Sequence, residues 1–263
     1  IVRANQAAER RVVLCTPTGR AAKRISETAG FEAMTVHRLL EYTPRTNSFN
    51  RNARFPLQAD LVLVDEASML DLLLAEKLLD AIPHGATLVL VGDVDQLPPV
   101  GAGAVLRELL LSRTCRVVRL VRVFRQAQRS TIVRAAHQIL SGEPPSSTPN
   151  GERGTGDLFV IRSPDPQVIA DRLVETLDRI ATAYRLDPKR DVQVLTPMRK
   201  GPLGTERLNE LLQDKLNAGC GEPTIAGYRP GDKVMQLRND YDREVFNGDL
   251  GEVRRVGENE LVV

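Results

Sequence analysis

Apolar and polar positions alternate along the chain in blocks that predict strands and helices in turn. The segments Leu61–Ser68 and Ala86–Gly103 each open on an apolar run that ends in acid, at Asp65-Glu66 and at Asp93. Runs of four or five branched apolar residues bounded by polar ones predict strands buried on both faces of a parallel sheet. A third run, Val12–Cys15, predicts a strand that turns into a helix at TPTGRAAKR (Thr16–Arg24), and a further helix begins at Thr35–Leu40. The opening IVRANQAAERR reads as the remainder of a helix. Further on, Leu158–Ile161 and Val192–Pro197 predict strands. Pro166–Tyr184, with Ile169, Leu173, Leu177 and Ile180 at helical spacing, predicts a helix, and so does Glu206–Leu216. Strand pieces around Val234–Asn239 and Leu250–Val256 flank Asn247-Gly248, a hairpin turn signal.

The β/α alternation is interrupted at Ser141–Asp157, which is rich in Pro, Gly and Ser. This predicts a first domain over 1–142, a linker over 143–157 and a second domain over 158–263. A length of 263 residues accommodates two such cores, and 42% apolar with 27% charged residues is the balance of a globular chain. No apolar stretch reaches membrane-span length. Cys15, Cys115 and Cys220 are far apart, lack metal-ligand spacing, and read as reduced thiols of a cytosolic protein. The net charge of +2 conceals a segregation. Residues 1–60 carry ten Lys/Arg against five Asp/Glu, and residues 105–137 carry eight Arg against one Glu. A surface that meets polyphosphate produces this pattern, and so do solvated helix faces.

The strand ends carry the chemistry. Ligands of open α/β sheets sit beyond the carboxyl ends of the strands. Asp65 and Glu66 leave one such end, and Asp93 and Gln96 leave another. Three carboxylates and an amide aimed at one place suit a magnesium nucleotide: one carboxylate holds the metal's waters, a second polarises the attacking water, and the amide senses the terminal phosphate. Such a site needs a phosphate-cradling glycine loop with lysine, yet Gly-Lys occurs nowhere and the chain opens on Ile1. The expectation is a stretch that begins just after that loop; the alternative is a domain without a nucleotide site. Thr18, Gly19 and Arg20 stand where a helix N-terminus could meet an anion, or where an ordinary βα turn would lie. His37 alone fits a structural or capping role.

Taken in order, TPTGRAAKR, TVHRLL, VDEASML, VGDVDQLPPVGAG, VFRQ, LTPMRKGPLGTERLN and GDKVMQLRNDYDREVFNGDLGEV resemble the RecD-like branch of superfamily 1 DNA helicases. The likeness runs from about Val12 to Val253. It implies an α/β fold of two RecA-like domains with mainly parallel sheets, and the start of a small SH3-like β insertion near the end. It also implies an ATP- and Mg2+-dependent motor moving 5′ to 3′ on single-stranded DNA and acting at duplex junctions. The setting implied is recombination or repair in the cytoplasm, as a monomer or beside other repair subunits. By the same resemblance Asp65 holds magnesium through water, Glu66 is the general base, Gln96 reads the γ-phosphate, and Arg125 is an arginine finger. Asp93 belongs to the nucleotide set. Thr18, Gly19, Arg20, Thr35 and His37 fall in DNA-contacting segments of the first domain, and Thr196, Pro197 and Arg199 in that of the second. Asn247, in the Asn-Gly-Asp signature, joins the DNA-binding set; a plain hairpin turn is the other reading. The family's P-loop lysine and its later Thr-x-His-Lys segment are absent. A helicase module of a conjugative relaxase, and a non-catalytic nucleic-acid-binding RecA-like module, are the competing readings. Few aromatic residues are present (six Phe, four Tyr, no Trp), so DNA would be held mainly through phosphates, with the linker as hinge.

Overall fold

The computed structural model describes residues 1–120, 130–146, 157–218, 227–240, 243, 245–257 and 260–263. The chain forms two compact units, one of residues 1–121 with 237–249, the other of 122–236 with 250–263.

In the first unit a short helix α1 (Val2–Gln6) leads into β1 (Val12–Thr16), α2 (Gly19–Ala29), β2 (Ala33–Thr35) and α3 (Val36–Leu39). A small hairpin of β3 (Tyr42–Thr43) and β4 (Ser48–Phe49) precedes β5 (Leu61–Val64). A 3-10 turn (Ala67–Met69), α4 (Leu72–Ala81), β6 (Thr87–Leu90) and α5 (Val105–Ser112) complete it. The four long strands form one parallel sheet in the order β2-β1-β5-β6.

The register explains the layers. Leu14 pairs with Leu63 and Cys15 with Val64, so like-facing side chains stack across strands. Leu14, Leu61 and Leu63 pack on one face with Val2 and Ile25 from α1 and α2. Val62, Val64 and Cys15 pack on the other with Leu78 of α4 and Leu106 of α5. All four residues of β5 are buried, as the apolar run predicts. β6 differs: Thr87 is exposed and Leu88–Leu90 only half-buried, because β6 is the terminal strand of the described sheet. Burial pushes the Cys15 thiol up to about 12, so it is an inert core group, whereas Cys115 is exposed.

Helix boundaries follow their caps. Thr18 accepts from the Ala21 N–H at 3.4 Å and Gly30, at φ 68°, ends α2 in the left-handed region. Asp71 caps α4 by accepting from the Leu74 N–H at 2.8 Å. The amino-terminal edge of the sheet is held by charge. Arg11 makes a two-point contact to Asp60 (Nε–Oδ2 3.2 Å, Nη2–Oδ1 3.1 Å), and Arg10 reaches the Asp60 carbonyl at 2.8 Å and Thr87 Oγ1 at 3.0 Å. Three strand starts are thereby joined.

The second unit contains α6 (Thr131–Leu140), α7 (Pro166–Tyr184) and α8 (Thr205–Leu216). They are followed by two antiparallel pairs, β7 (Lys233–Met235) with β8 (Leu250–Glu252), and β9 (Arg255–Val256) with β10 (Leu261–Val262). α6, placed in the first domain on sequence grounds, is grouped with this unit. α7 starts on Asp165, which accepts from the Gln167 N–H at 2.8 Å, with Pro166 in the first turn where its missing N–H does no harm. The strands expected at 158–161 and 192–197 are not formed as ladders. An apolar run becomes a strand only when a neighbour pairs with its backbone, and here the described parallel sheet lies in the first unit alone. The carboxylate of Asp157, at the end of the Pro/Gly-rich stretch, accepts from the Thr131 N–H at 2.6 Å and from the Ser130 hydroxyl. Those bonds hold its pKa below the usual carboxylate value.

The turn into β7 rests on a buried polar network. Asp232 Oδ1 accepts from Asn217 Nδ2 at 2.7 Å, and Oδ2 accepts from the Arg229 N–H at 2.8 Å and from Gln213 Nε2 at 2.5 Å. Lys189 Nζ donates to Asn217 Oδ1 at 3.0 Å.

Two outcomes are expected. Asp232→Ala leaves buried donors unpaired, so denaturant unfolding of the variant should show a loss of about 1–3 kcal/mol. Asp60 is held at about 2, first by the Arg11 side-chain bonds and then by the Arg11 backbone N–H, against an ordinary 3.8. Its folded pKa is depressed, so its stabilisation is complete above about pH 4 and is lost as pH falls through 2. In thermal melts Asp60→Asn should lie below wild type at neutral pH, and the two curves should converge near pH 2.

Candidate functional site

The parallel sheet sends four turns to its carboxyl edge. β1 ends in Thr16 and delivers Thr18, Gly19 and Arg20; β2 ends in Thr35 and delivers His37. Neighbouring β5 delivers Asp65 and Glu66, and β6 delivers Asp93 and Gln96. Adjacent strands stand roughly 4.8 Å apart. The ends of these four parallel strands therefore lie along one edge of the sheet.

Asp65 continues the β5 ladder through its N–H to the Cys15 carbonyl at 2.9 Å. Its Oδ1 accepts from the Glu66 N–H at 3.0 Å, which orients the carboxylate at the strand end. Glu66 sits at φ 52°, ψ 36°, left-handed backbone that a side chain with Cβ adopts at about 1 kcal/mol or more. That reversal starts the 3-10 turn. The Ala67 N–H then donates to the Val91 carbonyl at 2.8 Å, anchoring the turn to the strand next door. Asp65 and Glu66 are both half-buried: accessible to a ligand, yet backed by the buried Ala67 and Ser68.

The loop after β6 is packed onto that turn through its glycines. A Cβ at Gly92 would lie 2.8 Å from the Ser68 backbone nitrogen and 2.8 Å from Leu106 Cδ2. Gly103, at φ 91°, comes against Leu72, and the Leu72 N–H donates to the Ala102 carbonyl at 2.9 Å. Gly101 lies against the carboxylate of Asp71, the cap of α4. Only glycine lets this loop lie so close. Gln96 is exposed on the same loop. Asp93 spends Oδ1 on the Asp95 N–H at 3.0 Å, so it shapes the turn as well as adding charge.

The DNA-assigned positions divide by environment. Thr18 and Thr35 are helix caps, Thr35 accepting from the Arg38 N–H at 3.1 Å. Arg20 is exposed, with Nη1 3.3 Å from the Gly248 carbonyl. His37 is half-buried in an aromatic group, 5.3 Å from Tyr42 edge-on and 5.8 Å from Phe49. Burial lowers its pKa, and Asp71 partly opposes the shift. This is the structural environment foreseen as the plain reading of His37. In the second unit, Thr196 Oγ1 donates to the Leu203 carbonyl at 2.6 Å, and exposed Arg199 pairs with Glu206 at 3.1 Å. Pro197 is exposed between them. Asn247 is exposed and its N–H donates to Asn239 Oδ1 at 2.9 Å. Arg125 lies outside the described residues.

Sequence reasoning missed Phe246, which packs on Gly19, and the contacts of Gly92, Gly101 and Gly103; the glycine spacing in VGDVDQLPPVGAG was the available signal for the latter. Asn247-Gly248 does not join the hairpin arms directly. β7 and β8 pair as expected, but the chain between them makes a longer excursion that belongs to the first unit. Among the described residues no group of three His, Cys, Asp or Glu could hold a metal. Magnesium bound through water to one carboxylate and to phosphates needs no such cluster, and Asp65 fits that mode. No described helix is long and apolar enough to cross a membrane.

Comparison with known proteins agrees with this geometry. A family described as an AAA domain matches residues 1–154, and an ATP-dependent RecD-like DNA helicase SH3 domain matches 208–263. The ATP-dependent RecD2 DNA helicase of Deinococcus radiodurans is 44% identical over 255 residues, covering 96% of this chain and 33% of that protein. The RecBCD enzyme subunit RecD of Mycolicibacterium smegmatis is 30% identical, covering 92% and 48%. Among solved structures, a Bacteroides Pif1 helicase double mutant aligns at 21% identity and TM-score 0.39, covering 96% and 61%. The chain thus spans between a third and a half of the length of these two sequence relatives. With the motif-bearing turns on one sheet edge and residues 208–263 matching a RecD-like helicase SH3 domain, the chain belongs to the RecD-like family of superfamily 1 helicases.

Proposed function

We propose that this chain is part of an ATP-driven DNA helicase that travels 5′ to 3′ along single-stranded DNA and opens duplex junctions. The observation that carries the reading is the placement of Asp65-Glu66 on the buried strand β5, flanked by the Thr18–Arg20 turn on one side and the Gln96 loop on the other. A nucleotide at that edge would lie beside the segments assigned to DNA on the neighbouring strands. The relatives' names, an ATP-dependent DNA helicase and a RecBCD enzyme subunit, support the substrate class, while a role in recombination and repair rests on the family resemblance. The direction of travel and action as a monomer rest on the family resemblance.

In this reading Glu66, half-buried where the chain leaves β5, takes the proton of the attacking water. Asp65, oriented by the Glu66 N–H, would hold magnesium through water. The metal, when bound, neutralises charge on the β- and γ-phosphates. Gln96, on the loop anchored by Gly92 and Gly103, contacts the terminal phosphate, and Asp93 keeps that loop folded. Arg125 would supply charge to the same phosphate. Arg20 and Arg199 contact DNA phosphates, with Thr18, Gly19, Thr35, Thr196, Pro197 and Asn247 shaping the path. His37 supports the first-unit segment from its aromatic pocket rather than touching DNA itself.

In the intact protein, Glu66→Gln should lower ATP turnover by about 10²–10⁴-fold while ATP binding is kept, measured by single-turnover hydrolysis and by nucleotide titration. Normal turnover would remove the base role from Glu66. Affinity for single-stranded DNA should fall linearly on a log–log plot as salt rises, and an affinity flat from low to moderate salt would sink the phosphate-contact reading.

A further inference from the structure

Apart from Asn247 on the DNA path, the Asn-Gly-Asp signature has no role above, yet the fold uses all three residues. Residues 237–249 leave the end of β7, return to the start of β8, and pack within the first unit. A two-way backbone bridge, Asp240 N–H to the Val245 carbonyl at 2.7 Å and Val245 N–H to the Asp240 carbonyl at 3.0 Å, closes the segment. A tight turn follows over Phe246–Asp249. The Asp249 N–H donates to the Phe246 carbonyl at 2.9 Å, and the Asp249 carboxylate accepts from the Phe246 N–H at 2.9 Å. Gly248 lies at φ 93°, the value the third residue of a type II turn requires, and Asn247 is tied back to Asn239.

This turn presents two groups to the start of α2. The Phe246 ring covers Gly19 so closely that a Cβ there would lie 2.5 Å from Cδ1 and 2.8 Å from Cγ. The Gly248 carbonyl accepts from Arg20 Nη1 at 3.3 Å. Arg20 is exposed, so a single hydrogen bond at its tip would be weak unless the backbone below it were fixed. Phe246 supplies that fixing: the missing side chain of Gly19 is the space in which the ring sits.

We propose that Phe246 is a positioning residue, a clasp that holds Gly19 and thereby sets the Arg20 guanidinium where it meets a DNA phosphate. The Asn-Gly-Asp turn shapes the clasp rather than touching nucleic acid directly. The inference rests on the proposed DNA reading of Arg20 and adds a partner that acts through it.

The test uses the intact protein and two readouts. In Phe246→Ala, amide exchange of the peptide spanning residues 17–24 should quicken about tenfold, with the thermal midpoint close to wild type. The single-stranded DNA concentration giving half-maximal ATPase should rise about tenfold, with turnover at saturating DNA unchanged. Phe246→Leu, which keeps part of the packing and guards against a folding defect, should stay near wild type in both. Gly19→Ala should quicken the same amide exchange, because its new methyl evicts the ring. The double variant should be no worse than either single one, a non-additivity that identifies direct contact. Unchanged exchange in Phe246→Ala, or additive effects in the double variant, would overturn the clasp. Faster exchange with unchanged DNA dependence would overturn its positioning role. A wild-type protein that binds no single-stranded DNA would instead overturn the DNA reading of Arg20, and the exchange data would still report on the packing.

Discussion

β1, β2, β5 and β6 run in the same direction, and the rest of the first unit follows from that constraint. Parallel neighbours cannot be joined by tight turns, so each strand must be followed by a crossover that begins at the same edge. Every crossover start is therefore a place where backbone leaves the hydrogen-bonded ladder and side chains become available. The opposite edge carries the closing contacts, where Arg10 and Arg11 tie the starts of β1, β5 and β6 around Asp60 and Thr87. The closing contacts and the motif-bearing turns thus occupy opposite ends of one sheet.

Within the reactive edge, two loops are locked together. Glu66 in left-handed backbone begins the 3-10 turn, and Gly92, Gly101 and Gly103 let the loop after β6 lie against that turn and against the start of α4. Neither loop can shift far without lifting the other, because the contacts are backbone to backbone at Ala67–Val91 and Leu72–Ala102. A displacement of one loop would thus be passed to the other through these backbone bonds. The strained residue, Glu66, sits at the point where the chain leaves β5 for the 3-10 turn.

Much of this was legible from residue order. The strands at Val12, Leu61 and Thr87, the acidic strand ends, and the helix at Pro166–Tyr184 follow from apolar runs, periodicity and caps, which are local signals. The runs at 158–161 and 192–197 lie outside the described sheets, because apolar character sets strand propensity and not register with a neighbour. β6 looked like a doubly buried strand and is half-exposed, since rank within a sheet is a tertiary property. The aromatic surroundings of His37, Tyr42 and Phe49, were not foreseen, because they come from a hairpin whose strands have only two residues each. Phe246 could not be foreseen at all. Its partner Gly19 lies more than two hundred residues away, and no periodicity links them.

That separation bears on how the protein is made. The first unit is discontinuous, with residues 237–249 supplied long after 1–121. During synthesis the parallel sheet can assemble while the later residues are still on the ribosome, but the face of α2 around Gly19 stays bare until the excursion arrives. A nascent chain would pass through an interval with an apolar notch uncovered beside a basic helix start, a surface suited to transient capture by a chaperone. Cutting the gene after the linker to isolate the first domain would make that interval permanent.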